Sequence, residues 1–206
     1  GKSTYECLTG AVDPKDTIIQ TRFTNLYVLP ATINLAGIDN EYHYRMMKDK
    51  SFKMNEQLKN ILEGIKRGFD YIIIDCPPNL GVLTINALAA SNKIIIPVQC
   101  EFFALDGVTQ LLDTILRTQQ NINPKLQIEG VLLTMLDSRT NLGMEVVEDV
   151  RRFFGDKTFD TIIPRLIRLV EAPSHGEPIN VYDPENRATL AFENLAKEVL
   201  IRDERN

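Results

Sequence analysis

The sequence predicts an α/β fold, a mostly parallel β-sheet with helices on both faces. Two observations carry this. The runs YIIID at 71–75, KIIIPV at 93–98 and QIEGVLLTM at 127–135 are rich in β-branched and aliphatic residues, and they are continuous rather than alternating. Such runs fit strands buried on both faces. Segments with helical spacing of apolar residues lie between them, and that rhythm means crossover helices covering a parallel sheet.

Taken in order, residues 26–29 form the first strand candidate, closed by Pro30. Residues 54–67 place Met54, Leu58, Ile61, Leu62 and Ile65 on one helical face. The strand at 71–75 follows and stops at Pro77 and Pro78. Residues 80–91 read as a helix and 93–98 as the next buried strand. Residues 104–120 form a helix with Leu105, Val108, Leu111, Leu112 and Ile115 as its buried stripe, broken by residues 121–124. Residues 127–135 are a strand, 141–154 a helix ended at Gly155, and 160–164 a strand. Residues 178–181 are a weak strand and 186–201 a final amphipathic helix. One domain over residues 1–206 is expected.

Composition limits the function. The chain has 206 residues, 44% of them hydrophobic, enough for a sizeable core. Asp and Glu total 28 against 23 Lys and Arg, a net charge of -5. A protein whose bulk charge drives it onto nucleic acid is basic, so DNA binding here must come from a local patch. Cys7, Cys76 and Cys100 have neither disulfide-scaffold nor metal-ligand spacing. Cys76 and Cys100 flank apolar strands and read as small core residues. A reducing cytoplasm is the simplest setting. No apolar run approaches the roughly 18 residues of a membrane-spanning helix. His43 and His175 have no partner at metal-ligand spacing.

In a parallel α/β sheet, chemistry collects at the carboxyl ends of the strands. Asp75 closes three isoleucines, the Walker B pattern, in which a carboxylate holds Mg2+ through water beside nucleotide phosphates. The plainer reading is an aspartate capping the next turn. Gln99-Cys100-Glu101, Thr134-Met135-Leu136-Asp137 and Pro164-Arg165 end the other strands; each alone reads as a structural loop. Gly1-Lys2-Ser3-Thr4 spells the end of a P-loop. No strand or glycine-rich stretch stands before it to cradle a phosphate, and it is read as coincidental.

Together these stretches resemble the ParA/Soj family of chromosome- and plasmid-partitioning ATPases. The resemblance rests on NLYVLPATINLAG (25–37), YIIIDCPPNLGVLTINALAA (71–90), IIIPVQCEFFALDGVTQLL (94–112), IEGVLLTMLDSRTNLGMEVVEDVRRFF (128–154) and TIIPRLIRLVEAPSHGEPINVYDPENRA (161–188). It implies a P-loop NTPase-like fold, lacking here the family's N-terminal strand and its two-lysine P-loop. It implies ATP and Mg2+ as cofactors, with Asp75 as the catalytic, metal-holding carboxylate. Thr134, Met135, Pro164 and Arg165 match the adenine pocket. Arg165, Arg168 and Arg187 match positions where the family contacts DNA through basic residues. The implied function is ATP-dependent dimerisation and non-specific DNA binding, with hydrolysis stimulated by a ParB-like partner. The implied setting is the bacterial cytoplasm at the nucleoid, with no membrane partner. This chain alone is expected to hydrolyse ATP negligibly.

The chain departs from the family at Leu166 and Val170, where Asn and Ser are common, and at Glu177 and Glu185, where basic residues are common. The two acidic residues bear on DNA binding. The alternative is a non-enzymatic fragment of the same fold that self-associates or binds a partner. The mixed-charge tail at 195–206 does not match the basic amphipathic helix of membrane-associated relatives.

Overall fold

The computed structural model describes residues 1–102 and 104–204. Phe103, inside the 94–112 stretch, and residues 205–206 of the tail lie outside the described residues. The chain divides into two compact units: residues 1–92 with 114–126, and residues 93–113 with 127–206.

The first unit is mainly helical. α1 (Thr4–Leu8) precedes a two-stranded antiparallel ribbon of β1 (Ile19–Gln20) and β2 (Tyr27–Val28), paired Ile19↔Val28 and Gln20↔Tyr27. α2 (Ile38–Lys48), α3 (Gln57–Glu63) and α4 (Val82–Ala90) follow. Leu8, Ile38 and Tyr42 form a buried cluster, and Tyr5, Met54, Leu58 and Ile61 close over it. Ile38 and Tyr42 lie one helical turn apart, so α2 buries a single i, i+4 pair, while its other large apolar side chains, Tyr44, Met46 and Met47, are exposed. Asn86, buried in α4, accepts from Leu58 N–H (3.0 Å) and donates to Met54 O (2.8 Å) and Val82 O (2.9 Å). Asn123 caps the far end of α4, donating to Leu88 O (2.9 Å) and Ser91 O (2.8 Å). These carbonyls have no intrahelical partner, so a side-chain amide supplies one.

The second unit holds a three-stranded parallel sheet in the order β3 (Lys93–Gln99), β4 (Gln127–Leu136), β5 (Thr158–Pro164). α5 (Ala104–Asn121), which spans both units, crosses from β3 to β4; α6 (Asn141–Phe154) crosses from β4 to β5. β4 is central, with residues 129–133 buried without a break, as its continuous apolar run predicts. α6 starts at Thr140, whose hydroxyl accepts from Gly143 N–H (3.2 Å), and stops at Gly155 with φ 53°. α7 (Ile167–Ser174), α8 (Ile179–Tyr182) and α9 (Arg187–Glu204) complete the unit. Leu132, Phe159 and Ile163 form its core with Ala191, Leu195 and Val199 of α9.

One charged network ties α9 to the sheet. Arg202 donates to Glu129 O (3.1 Å), Thr158 O (3.0 Å) and Glu198 Oε1 (2.9 Å). Glu198 in turn accepts from Asp160 N–H (2.8 Å) and Thr161 N–H (3.0 Å). Lys93 pairs with Glu129 (2.7 Å) and Asp203 (2.5 Å).

Several expectations are corrected. Residues 71–75 are not a strand: no ladder includes them, and Ile73 is 92% exposed. A strand exists through its hydrogen-bond partners, and an apolar run has strand propensity only where a neighbour meets it. Cys76, beside this run, is therefore exposed rather than a core residue, whereas Cys100 is buried. Residues 178–181 are not a strand but the short helix α8. Val181 N–H and Tyr182 N–H both bond Pro178 O (3.0 Å each), because Pro178 takes the cap position at φ -72°. The helix expected over 54–67 is shortened to α3 by Gly64 and continues as a separate 3-10 turn at Lys66–Gly68.

Candidate functional site

In the first unit, the Asp75 carboxylate is exposed, and no hydrogen bond or ion pair engages it among the described residues. The loop behind it is organised locally. Gly81 N–H donates to Asn79 Oδ1 (3.1 Å) and Thr84 Oγ1 to Asn79 O, so the chain turns into α4 just after Pro77-Pro78. Mg2+ keeps several waters and takes one or two carboxylates plus phosphates. A free, exposed carboxylate fits that demand. Among the described residues no group of three or more His, Cys, Asp or Glu could chelate a metal directly.

Gly1-Lys2-Ser3-Thr4 is engaged in starting α1. Ser3 is fully buried as its N-cap, accepting from Tyr5 N–H (3.3 Å) and donating to Glu6. That hydrogen bond holds the Glu6 carboxyl below the usual carboxylate range. Thr4 N–H is spent on Pro30 O (2.8 Å). The N–H groups of Thr4 and Tyr5, at the end of this stretch, are therefore used within the protein.

In the second unit, the strand ends bring two predicted segments together. Leu136 pairs with Pro164, and Arg165 N–H donates to Leu136 O (2.9 Å). Thr134-Met135 and Pro164-Arg165 thus become neighbours on adjacent parallel strands. Thr134 is held from the β3 side: its carbonyl accepts from Cys100 N–H (2.9 Å) and its hydroxyl donates to Val98 O (3.3 Å). Met135 has φ 55°. This left-handed conformation is a rare one for a bulky side chain, and strain of this kind clusters at ligand sites.

Glu101, Asp137 and Arg139, to which sequence reasoning gave no functional role, stand with Arg165 at these strand ends. Arg165 pairs with Glu101 at 3.6 Å, both exposed. Arg139 grips Asp137 with two bonds (2.9 and 2.7 Å), drawing that carboxyl down to about 2. Below Glu101, a cavity of about 470 Å3 opens between β3 and α5, lined by Val98, Gln99, Phe102 and Leu111 among others.

The other two candidate arginines sit differently. Arg168, on α7, reaches Tyr182 Oη (3.2 Å), Glu171 Oε2 (3.3 Å) and Asp183 Oδ2 (3.6 Å). Tyr182 carries His175 stacked on its ring at 5.0 Å. Arg187 opens α9 and is exposed, a cation at the positive end of a helix, where it adds to the local positive potential.

Comparisons with known proteins identify the family and the fold. A model of the AAA domain family matches residues 1–128, which sets the class as an ATPase-type α/β domain. The sporulation initiation inhibitor protein Soj of Bacillus subtilis is 52% identical over 195 residues, covering 95% of this chain and 75% of that protein. The chromosome-partitioning ATPase Soj of Treponema pallidum is 44% identical, covering 98% of this chain and 78% of that protein. The chromosome partitioning protein ParA of Caulobacter vibrioides is 41% identical, covering 97% and 73%. The chain belongs to the Soj/ParA family of chromosome-partitioning ATPases. Among solved structures, cobyrinic acid a,c-diamide synthase from Mycobacterium smegmatis, with bound ADP and magnesium, superposes with a TM-score of 0.80 at 34% identity. It covers 96% of this chain and 71% of that one. The cell division ATPase MinD of Pyrococcus furiosus, at 24% identity and TM-score 0.73 over 96% of this chain and 74% of that one, shares the fold.

Proposed function

We propose that this chain acts as a nucleotide-dependent partitioning switch. The observation that carries the reading is the joining of Thr134-Met135 to Pro164-Arg165 through the bond from Arg165 N–H to Leu136 O. These residues form the wall against which an adenine would lie. Asp75 would hold Mg2+ through water; when bound, that ion neutralises charge on the phosphates. Arg165, Arg168 and Arg187 would contact nucleic-acid phosphate. Contacts of that kind carry no sequence information and weaken steeply with salt. Self-association with ATP bound, stimulation of hydrolysis by a ParB-like partner and a cytoplasmic, nucleoid-associated setting complete the reading. The likeness to Soj and ParA supports them. The single-domain expectation over residues 1–206 remains part of it, with the two compact units as its subdivisions.

The engaged amides at Thr4 and Tyr5 support negligible ATP turnover by this chain taken alone. The test is equilibrium titration with a fluorescent ATP analogue, beside phosphate release. Expected are saturable Mg2+-dependent binding, weakened by Asp75→Ala, and turnover no greater than a blank. Absence of saturable binding, or binding indifferent to both Mg2+ and Asp75→Ala, contradicts the switch.

The exposed apolar run around Ile73 favours a second reading, a non-enzymatic fragment that self-associates by strand pairing. Association that survives nucleotide removal would select it.

A further inference from the structure

Arg168 is not presented to solvent as a free cation. Its Nη1 lies 3.3 Å from Glu171 Oε2 and 3.2 Å from Tyr182 Oη, and its Nε lies 3.6 Å from Asp183 Oδ2. The three partners are themselves connected and supported. Tyr182 Oη donates to Glu171 Oε2 (3.3 Å), and Asn186 Nδ2 donates to Asp183 Oδ2 (2.9 Å). The guanidinium lies 5.6 Å from the Tyr182 ring centroid, so an aromatic face adds to the hold. Tyr182 is anchored against the cluster of Ala172, Ile179 and Ala188, which fixes the clamp to the body of the unit. The Arg168 and Glu171 side chains are both solvent-accessible, at 55% and 42%. The clamp is therefore one that an incoming anion can reach and open.

We propose that Glu171, aided by Tyr182 and Asp183, is a positioning residue that competes with nucleic-acid phosphate for Arg168. It thereby sets how many cationic groups this surface offers to a polyanion. The inference rests on the DNA-backbone reading above. The competition is direct: a guanidinium has a limited set of forked donors, and a carboxylate and a phosphate oxygen seek the same ones. Exposed ion pairs are weak, so the clamp lowers affinity without abolishing it. Arg187, whose guanidinium meets no carboxylate in an ion pair among the described residues, is outside this control.

The experiment is fluorescence anisotropy with a labelled mixed-sequence duplex of about 25 base pairs, titrated between about 50 and 200 mM salt with Mg2+ and ATP present. Glu171→Gln keeps the side chain's shape and removes its charge. Glu185→Gln removes the same charge from a neighbouring exposed residue that has no bond to Arg168. Glu171→Gln should tighten binding about two- to fivefold beyond Glu185→Gln. It should also steepen the slope of log affinity against log salt by up to about 0.9. The gain should vanish in an Arg168→Ala background. Tyr182→Phe, which removes only the hydroxyl, should give a smaller gain of the same sign, and thermal melting confirms that each variant is folded. Equal effects of Glu171→Gln and Glu185→Gln, or a gain that persists in Arg168→Ala, would overturn the clamp and leave DNA binding standing. Failure of every form to bind the duplex at the lowest salt would overturn the DNA reading and the clamp with it.

Discussion

Gly130→Ala should destabilise the second unit by closing the seat of Arg202. A β-carbon built at Gly130 would lie 2.6 Å from Phe159 Cε2, 2.7 Å from Lys157 O and 2.9 Å from Arg202 Nη1. Lys157 O is backbone and Phe159 is fully buried, so neither can yield cheaply. Arg202 is the movable neighbour, but its Nη1 and Nη2 satisfy Glu129 O and Thr158 O, and its guanidinium lies 4.1 Å from the Phe159 ring centroid. Overfilling a tight core costs about 1–3 kcal/mol. Displacing a charged donor from a carbonyl adds about 1.5–3 kcal/mol where the bond is lost outright. A total near 3 kcal/mol corresponds to a fall in Tm of roughly 6–12 °C for a chain of this size. The assay is thermal unfolding followed by far-UV circular dichroism, with Arg202→Ala measured alongside. A Tm for Gly130→Ala within about 1 °C of the parent would refute the close approach of β4, β5 and α9 as the reason for glycine there.

Other outcomes follow from the same structure. Asn86→Ala leaves Leu58 N–H and Met54 O without their side-chain partner and should cost about 2–3 kcal/mol by denaturant unfolding; a midpoint unchanged from the parent would contradict the bridge from α4 to α3. Burial alone would raise the Glu198 carboxyl, but the N–H groups of Asp160 and Thr161 and the Arg202 guanidinium outweigh it and hold the group below the ordinary glutamate value of 4.5. Its stabilisation is therefore present above pH 4.5 and lost as pH falls through the lower folded value. Tm measured against pH should fall more steeply in acid for the parent than for Glu198→Gln, and parallel curves would refute this. Met135→Gly should leave Tm within about 2 °C of the parent, because relief of roughly 1 kcal/mol of left-handed strain offsets lost contacts. It should also weaken nucleotide binding, and unchanged affinity would remove Met135 from the adenine wall.

The sheet of the second unit was readable because its strands meet partners supplied within it. β4 and α6 follow from a continuous apolar run and from the Thr140 and Gly155 boundaries. Residues 71–75 carry an equal apolar signal, yet the ladder that makes a strand is a property of the neighbour, which no local pattern reports. α2 was missed because only Ile38 and Tyr42 face inward and the intervening residues are polar. At Pro178, proline's preset φ overrode the β-branched residues that follow it. Within the candidate site, the joining of Thr134-Met135 to Pro164-Arg165 was foreseeable from the rule that chemistry gathers at strand ends. Of the arginines' partners, Glu171 was readable as the i, i+3 neighbour of Arg168 on α7, whereas Glu101, Tyr182 and Asp183 were not. An ion pair across different elements has no periodicity and leaves no mark in the sequence of either residue.

Residue-level mapping of nucleotide binding tests the account most directly. Amide chemical shifts of the isotope-labelled chain would be followed while ADP with Mg2+ is added. The account predicts saturable shifts at Thr134, Met135 and Arg165, a Mg2+-dependent shift at Asp75 that Asp75→Ala abolishes, and little change at residues 1–4. Saturable shifts centred on residues 1–4, with Thr134, Met135 and Arg165 unmoved, would contradict it.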